Sequence, residues 1–172
     1  KIKYAHSNEL DNLCSADVFY RLSLAYIDSA IHLCVAMNNN KFKQTYSRGN
    51  VILFLFHHSI ELFLKSLIYK NNLLSEMHKL KNKMHNLDSL NNILKSNSID
   101  IELPFQYIHT SEDQSLEDFE EIIPQDQFYR YHIDKKGNHT GVSGAFSSKS
   151  LVKELRSFKK VILSYDNNFN MI

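Results

Sequence analysis

FLFHHSIELFLKSLI (residues 54–68) is the most apolar run in the chain, and its reading decides the fold. Apolar side chains cover most of its circumference when it is wound as a helix, so it belongs at the centre of a helical fold or at a subunit interface. Yet His57, His58, Glu61 and Lys65 sit in its middle. With 100° per residue and Glu61 at zero, His57 falls at about −40°, Lys65 at about +40° and His58 at about +60°. Phe54 and Ile68 share that side, so the four polar groups form one cluster two turns long. Leu53, Ile60, Leu64 and Leu67 fill the neighbouring arc.

Three readings of the cluster stand. It faces water, with Glu61 and Lys65 as an ordinary i,i+4 pair worth a few tenths of a kcal/mol. Or it is a buried hub in which Glu61 caps loop backbone or pairs with an arginine, because a buried carboxylate requires partners. Or it is a ligand or catalytic site.

Working outward, NELDNLCSADVFYRLSLAYIDSAIHLCVAM (residues 8–37) has apolar residues at helical spacing without Pro or Gly, which predicts a helix of about 25–30 residues. NNNKFK is a turn. The second helix starts between Gln44 and Asn50, runs to about Tyr69 and ends at the Asn pair 71–72. Residues 75–97 are helical but broken, with Leu87, Leu90, Ile93 and Leu94 on one face. Pro104 and Pro124 bracket an acidic stretch in which Ser115 and Asp118 form a weak capping box. Gly137, Gly141 and Gly144 lie in a long loop. A last helix covers about Ser148 to Tyr165, with Leu151, Leu155, Phe158 and Ile162 as its stripe. The expected architecture is a single all-α domain over residues 1–172: a bundle of four main helices, the first two long and antiparallel, with an irregular loop before the last.

Composition agrees. The 172 residues suit one core, and four Gly with two Pro disfavour a fold of many short strands. Twenty Lys and Arg against nineteen Asp and Glu leave no global field for nucleic acid or membrane, so only a local basic patch would supply one. Cys14 and Cys34, read as lying on one helix, stand roughly 30 Å apart, beyond disulfide reach, which points to a reducing, cytoplasmic setting. No uninterrupted apolar run reaches the ~18 residues of a membrane span. No leader is read at the start, where the chain opens on Lys1 rather than Met.

His58-x-x-Glu61 and His85-x-x-Asp88 each put two potential metal ligands on a helix face. Carboxylate-bridged di-iron bundles use Glu-x-x-His with two further glutamates. Here the order is reversed, and the first helix offers only Asp28 and His32 as inward candidates, so no metal and no cofactor are expected. Nucleophile elbows and phosphate-binding glycine loops are absent from the sequence.

HHSIELFLKSLI, followed about twenty residues later by HNLDSLNNIL, resembles the HEPN superfamily (higher eukaryotes and prokaryotes nucleotide-binding). His58, Glu61, Leu62, Leu64, Lys65, Ser66, Leu67, His85 and Leu87 carry the likeness. DQFYRYHIDKKGN is similar to a stretch before the final helix in some branches, with His132 where proline is usual. The resemblance implies an RNA- or nucleotide-associated domain of a prokaryotic defence or toxin-type system, cytoplasmic and homodimeric. Many members are metal-independent ribonucleases with an Arg-x(4–6)-His motif, in which His assists attack by the RNA 2′-OH and Arg stabilises the phosphorane. None of the four arginines here has a His at that spacing. Arg130 and His132, with His139 further along the loop, are the substitute catalytic candidates, joined by Asp134, Lys135 and Lys136. Tyr129 and Tyr131 are candidates for base stacking. The competing reading of that loop is a solvated connection with Arg130 in a salt bridge. The competing function is a non-catalytic dimerisation or assembly module that partners a larger effector, with His57, His58, Glu61, Lys65 and His85 as a polar seam. A third is a carboxylate–histidine metal enzyme.

Overall fold

The computed structural model describes residue 10 and residues 13–104 and 147–169. Within them the fold is all-α. The helices are α1 (Ser15–Asn38), α2 (Tyr46–Lys70), α3 (Leu74–Lys79), α4 (Leu87–Ser96) and α5 (Ser148–Ser164), with single 3-10 turns at Lys81–Lys83 and Asp166–Asn168. The expected short helix near Ser115 and the long glycine-bearing loop lie outside the described residues, as do Arg130, His132 and His139.

The two long helices are antiparallel. Phe19 meets Tyr69 edge to face, Tyr26 meets His58, and Ser23 meets Ser59, so rising numbers on α1 pair with falling numbers on α2. Small side chains permit a close approach at the middle. The Ser59 hydroxyl donates to the Ser23 carbonyl at 2.8 Å, which satisfies a hydroxyl that burial would otherwise strand. α5 lies antiparallel to α1, with Cys34 against Ser148 at one end and Tyr20 against Ile162 at the other. Its stripe of Leu151, Leu155, Phe158 and Ile162 is buried as the spacing predicts, and Phe158 sits edge-on to Phe56 and Phe63 of α2. All of these side chains belong to one hydrophobic core.

Helix ends follow local chemistry. Thr45, Asn86 and Ser147 cap α2, α4 and α5 through side-chain oxygens that accept from Arg48, Ser89 and Ser150 backbone N–H groups. Cys14 is the N-cap of α1 rather than a residue within it, and its thiol donates to Asp17 instead of accepting from a backbone N–H. With so few glycines, asparagine and serine take the left-handed positions that close α1, α2 and α4: Asn40 at φ 54°, Asn72 at φ 58° and Ser98 at φ 64°. Each closes a paired turn, as in Leu73 N–H to the Ile68 carbonyl and Asn72 N–H to the Tyr69 carbonyl. Asn71–Asn72 is therefore a stop signal by mechanism.

Averaged over a window, α1 and α2 are each apolar and long enough to cross a membrane, which the test for an uninterrupted run passed over. For α2, 72% of that window is buried inside the bundle, the condition of a core helix. For α1 the figure is 28%.

Candidate functional site

Glu61 lies in the second half of α2 with its side chain only 4% exposed. Two of its partners come from its own helix at the spacing that stacks side chains on one face. Lys65 Nζ donates to Oε1 at 2.7 Å, and His58 Nδ1 stands 3.4 Å from Oε2. The third comes from the segment entering α4: His85 Nδ1 is 2.8 Å from Oε1. His85 immediately precedes the capping residue Asn86, so the start of α4 and the orientation of this imidazole are set together. His58 is held between rings, stacked on Phe54 at 5.7 Å and edge-on to Tyr26 at 4.6 Å.

Burial alone would raise the Glu61 carboxyl above its usual range. The hydrogen bonds from His58, Lys65 and His85, with the charge of Lys65, overcome it and bring the pKa down to about 2. The group is thus ionised at neutral pH and engaged by three nitrogens. An acid or base that shuttles protons near pH 7 needs a pKa close to 7, so this carboxylate is built to hold elements together. Among the described residues Glu61 is a buried, hydrogen-bonded hub whose donors are two histidines and a lysine.

His57 is buried at 8% exposure but is not among the three donors to Glu61. Asp28 and His32, expected to face inward, are exposed, and Asp28 pairs with Lys159 of α5. Asp88 is also exposed on α4. Among the described residues no group of three His, Cys, Asp or Glu side chains is arranged to hold a metal ion.

Sequence reading missed a second buried carboxylate. Asp17, in the first turn of α1, is 2% exposed at its side chain; it accepts from the Cys14 thiol at 3.2 Å and lies 4.0 Å from Lys70 Nζ at the end of α2. Beside it the Tyr20 hydroxyl donates to the Ile162 carbonyl and to Asp166, and Phe169 stacks on the Tyr20 ring at 4.1 Å. Burial, then the Asp166 charge and hydrogen bond, raise the Tyr20 hydroxyl far above its ordinary value, so it stays a neutral donor. Lys70 and Asp166 are far from Asp17 and Tyr20 in sequence, and no local spacing links them. At the opposite end, burial pushes the Cys34 thiol up to about 11, partly offset by a backbone hydrogen bond from Val152, which makes it a packing residue rather than a nucleophile. A groove of about 330 Å³ lies between residues 102–104 and α5, lined by Glu102, Leu103, Glu154 and Phe158 among others; none of its described lining residues is a site residue nominated from sequence.

Compared with family models, with curated proteins and with solved structures, the chain matches none.

Proposed function

We propose that the chain is a HEPN-like helical domain associated with RNA or nucleotide, acting as a homodimer in the cytoplasm of a prokaryote as part of a defence or toxin-type system. The observation that supports this reading is the convergence of His58, Glu61, Lys65 and His85. These residues carry the family resemblance in two separate stretches of sequence, and they meet on one carboxylate. The candidates for ribonuclease chemistry are Arg130, His132 and His139, the residues the resemblance offers in place of the usual motif. The test is incubation of the purified chain with total tRNA and mRNA in EDTA, beside Arg130→Ala, His132→Ala and His139→Ala. Cleavage by the wild type and not by folded variants is the expected result of a metal-independent nuclease. No cleavage, and no binding to RNA or nucleotide, removes the reading.

The burial of Glu61 as an ionised, hydrogen-bonded hub favours a second reading, a non-catalytic assembly module that dimerises and partners a larger effector. In that case Glu61→Gln changes stability and partner assembly but no RNA cleavage.

A further inference from the structure

The end of the bundle where α1 turns into α2 carries a concentration of positive charge that the near-neutral composition conceals. No Asp or Glu occurs between Asp28 and Glu61, while Lys41, Lys43 and Arg48 all fall in that interval. The fold adds a second source. The Ser148 hydroxyl donates to Asn38 and Gln44, and the Ser148 carbonyl accepts from Cys34 and Asn38. These bonds pin the start of α5 against the α1–α2 turn and bring exposed Lys149, with exposed Lys153 one turn on, to the same end. Arg48 is held in place, its guanidinium donating to the Lys43 carbonyl at 3.2 Å and lying 4.2 Å over the Phe42 ring. Tyr46, 40% exposed at the start of α2, is one of the few large apolar side chains on the described surface. The α2 and α5 dipoles point their positive ends here against the single negative end of α1, so the helix termini add a net positive potential.

We propose that this surface, made of Lys41, Lys43, Arg48, Lys149 and Lys153 around Tyr46, binds the phosphate backbone of single-stranded RNA, with the tyrosine ring as a stacking platform for a base. It rests on the RNA-association reading above and names where contact is made. The choice of a single strand follows from pairing a cationic track with an exposed aromatic ring, a combination that binds without reading base sequence. A duplex offers phosphates but no free base face to the ring.

The experiment is fluorescence anisotropy of a labelled 20-nucleotide oligouridylate with the full chain across a salt series. Comparison is with the double variant Lys43→Glu/Lys149→Glu and with Tyr46→Ala. Each phosphate contact to a single strand contributes about 0.7 to the slope of log affinity against log salt. Loss of two contacts therefore makes the slope shallower by about 1.4 and weakens binding roughly tenfold or more at 0.1 M salt. Tyr46→Ala weakens binding with the slope unchanged. All three side chains are exposed, so the helical circular dichroism stays as in the wild type. Should the reversal unfold the chain, Lys41→Ala/Lys153→Ala gives the same slope readout. Wild-type binding that the lysine variants leave intact overturns this surface while the RNA reading stands. Absence of wild-type binding at low salt overturns both. Binding to phosphatidylserine vesicles through these lysines, with none to the oligonucleotide, also overturns the proposal and assigns the surface to a lipid.

Discussion

Glu61 and Asp17 are both buried carboxylates on the two longest helices, and they are held in opposite ways. Glu61 is gripped at 2.7, 2.8 and 3.4 Å by nitrogens, two of them on its own helix. Asp17 accepts from the Cys14 thiol at 3.2 Å and lies 4.0 Å from Lys70, a lysine 38% exposed at its side chain. The first arrangement is a short-range hub in which two partners come with the helix itself. The second is a long-range contact made only after α1 and α2 have packed. Equal burial therefore does not mean equal energy. What decides is how many donors are close, since His85 beside Glu61 is itself 55% exposed.

The largest effect that would break this contrast is at Glu61. Removing one partner of a buried, hydrogen-bonded ion pair costs about 3–5 kcal/mol, because the remaining charge stays buried. Glu61→Gln keeps the shape and removes the charge, so urea unfolding at pH 7 should show a loss of about 3 kcal/mol, near the lower end of that range. A loss below about 1 kcal/mol, the value of a single neutral hydrogen bond, would mean that the hub is not a strong one.

Acid should act through the same group. The folded pKa of Glu61, about 2, lies below its ordinary 4.5, so the hub's contribution is present above pH 4.5 and is lost as pH falls from 4.5 toward 2. That difference corresponds to about 3 kcal/mol at neutral pH. The groups facing the carboxylate are Lys65, His58 and His85. Protonating Glu61 removes the negative charge that pairs with Lys65 at 2.7 Å. Unfolding midpoints should fall across this window in the wild type, and the fall should be smaller in Glu61→Gln. Parallel curves would show that other carboxylates dominate acid unfolding.

How far each feature was legible in the sequence follows from the same contrast. The bundle was readable because apolar spacing on α1, α2 and α5 is local information, and the Leu151–Ile162 stripe is buried as the spacing predicts. The face shared by His58, Glu61 and Lys65 was readable for the same reason. His85 came with the resemblance, since nothing in local spacing ties it to Glu61. Asp28 and His32 were misplaced because helical periodicity says which residues share a face but not which face meets the core. Cys14 was read into α1 because the helix start carries no oxygen-bearing cap. Asp17, Tyr20 and Asp166 were invisible: their contacts span tens to more than a hundred residues, and a single Asp among α1's polar positions looks like any other. The basic end escaped reading because Lys149 and Lys153 arrive only with α5.

The smallest effects belong to Asp17, and they sharpen the comparison. Lys70→Met removes a partly exposed cation 4.0 Å away, and pairs of that kind are worth between zero and about 1 kcal/mol. Asp17→Asn should cost about 1 kcal/mol through the helix dipole alone, because it removes a negative charge from the first turn of α1, where it meets the dipole's positive end. Because the dipole term does not involve Lys70, the double variant should be close to additive, with a coupling well under 1 kcal/mol in thermal or urea unfolding. The Glu61→Gln/Lys65→Met cycle should instead be strongly coupled, since those atoms are 2.7 Å apart and shielded from water. Equal coupling in the two cycles would mean that burial, rather than donor distance, sets the strength of both sites.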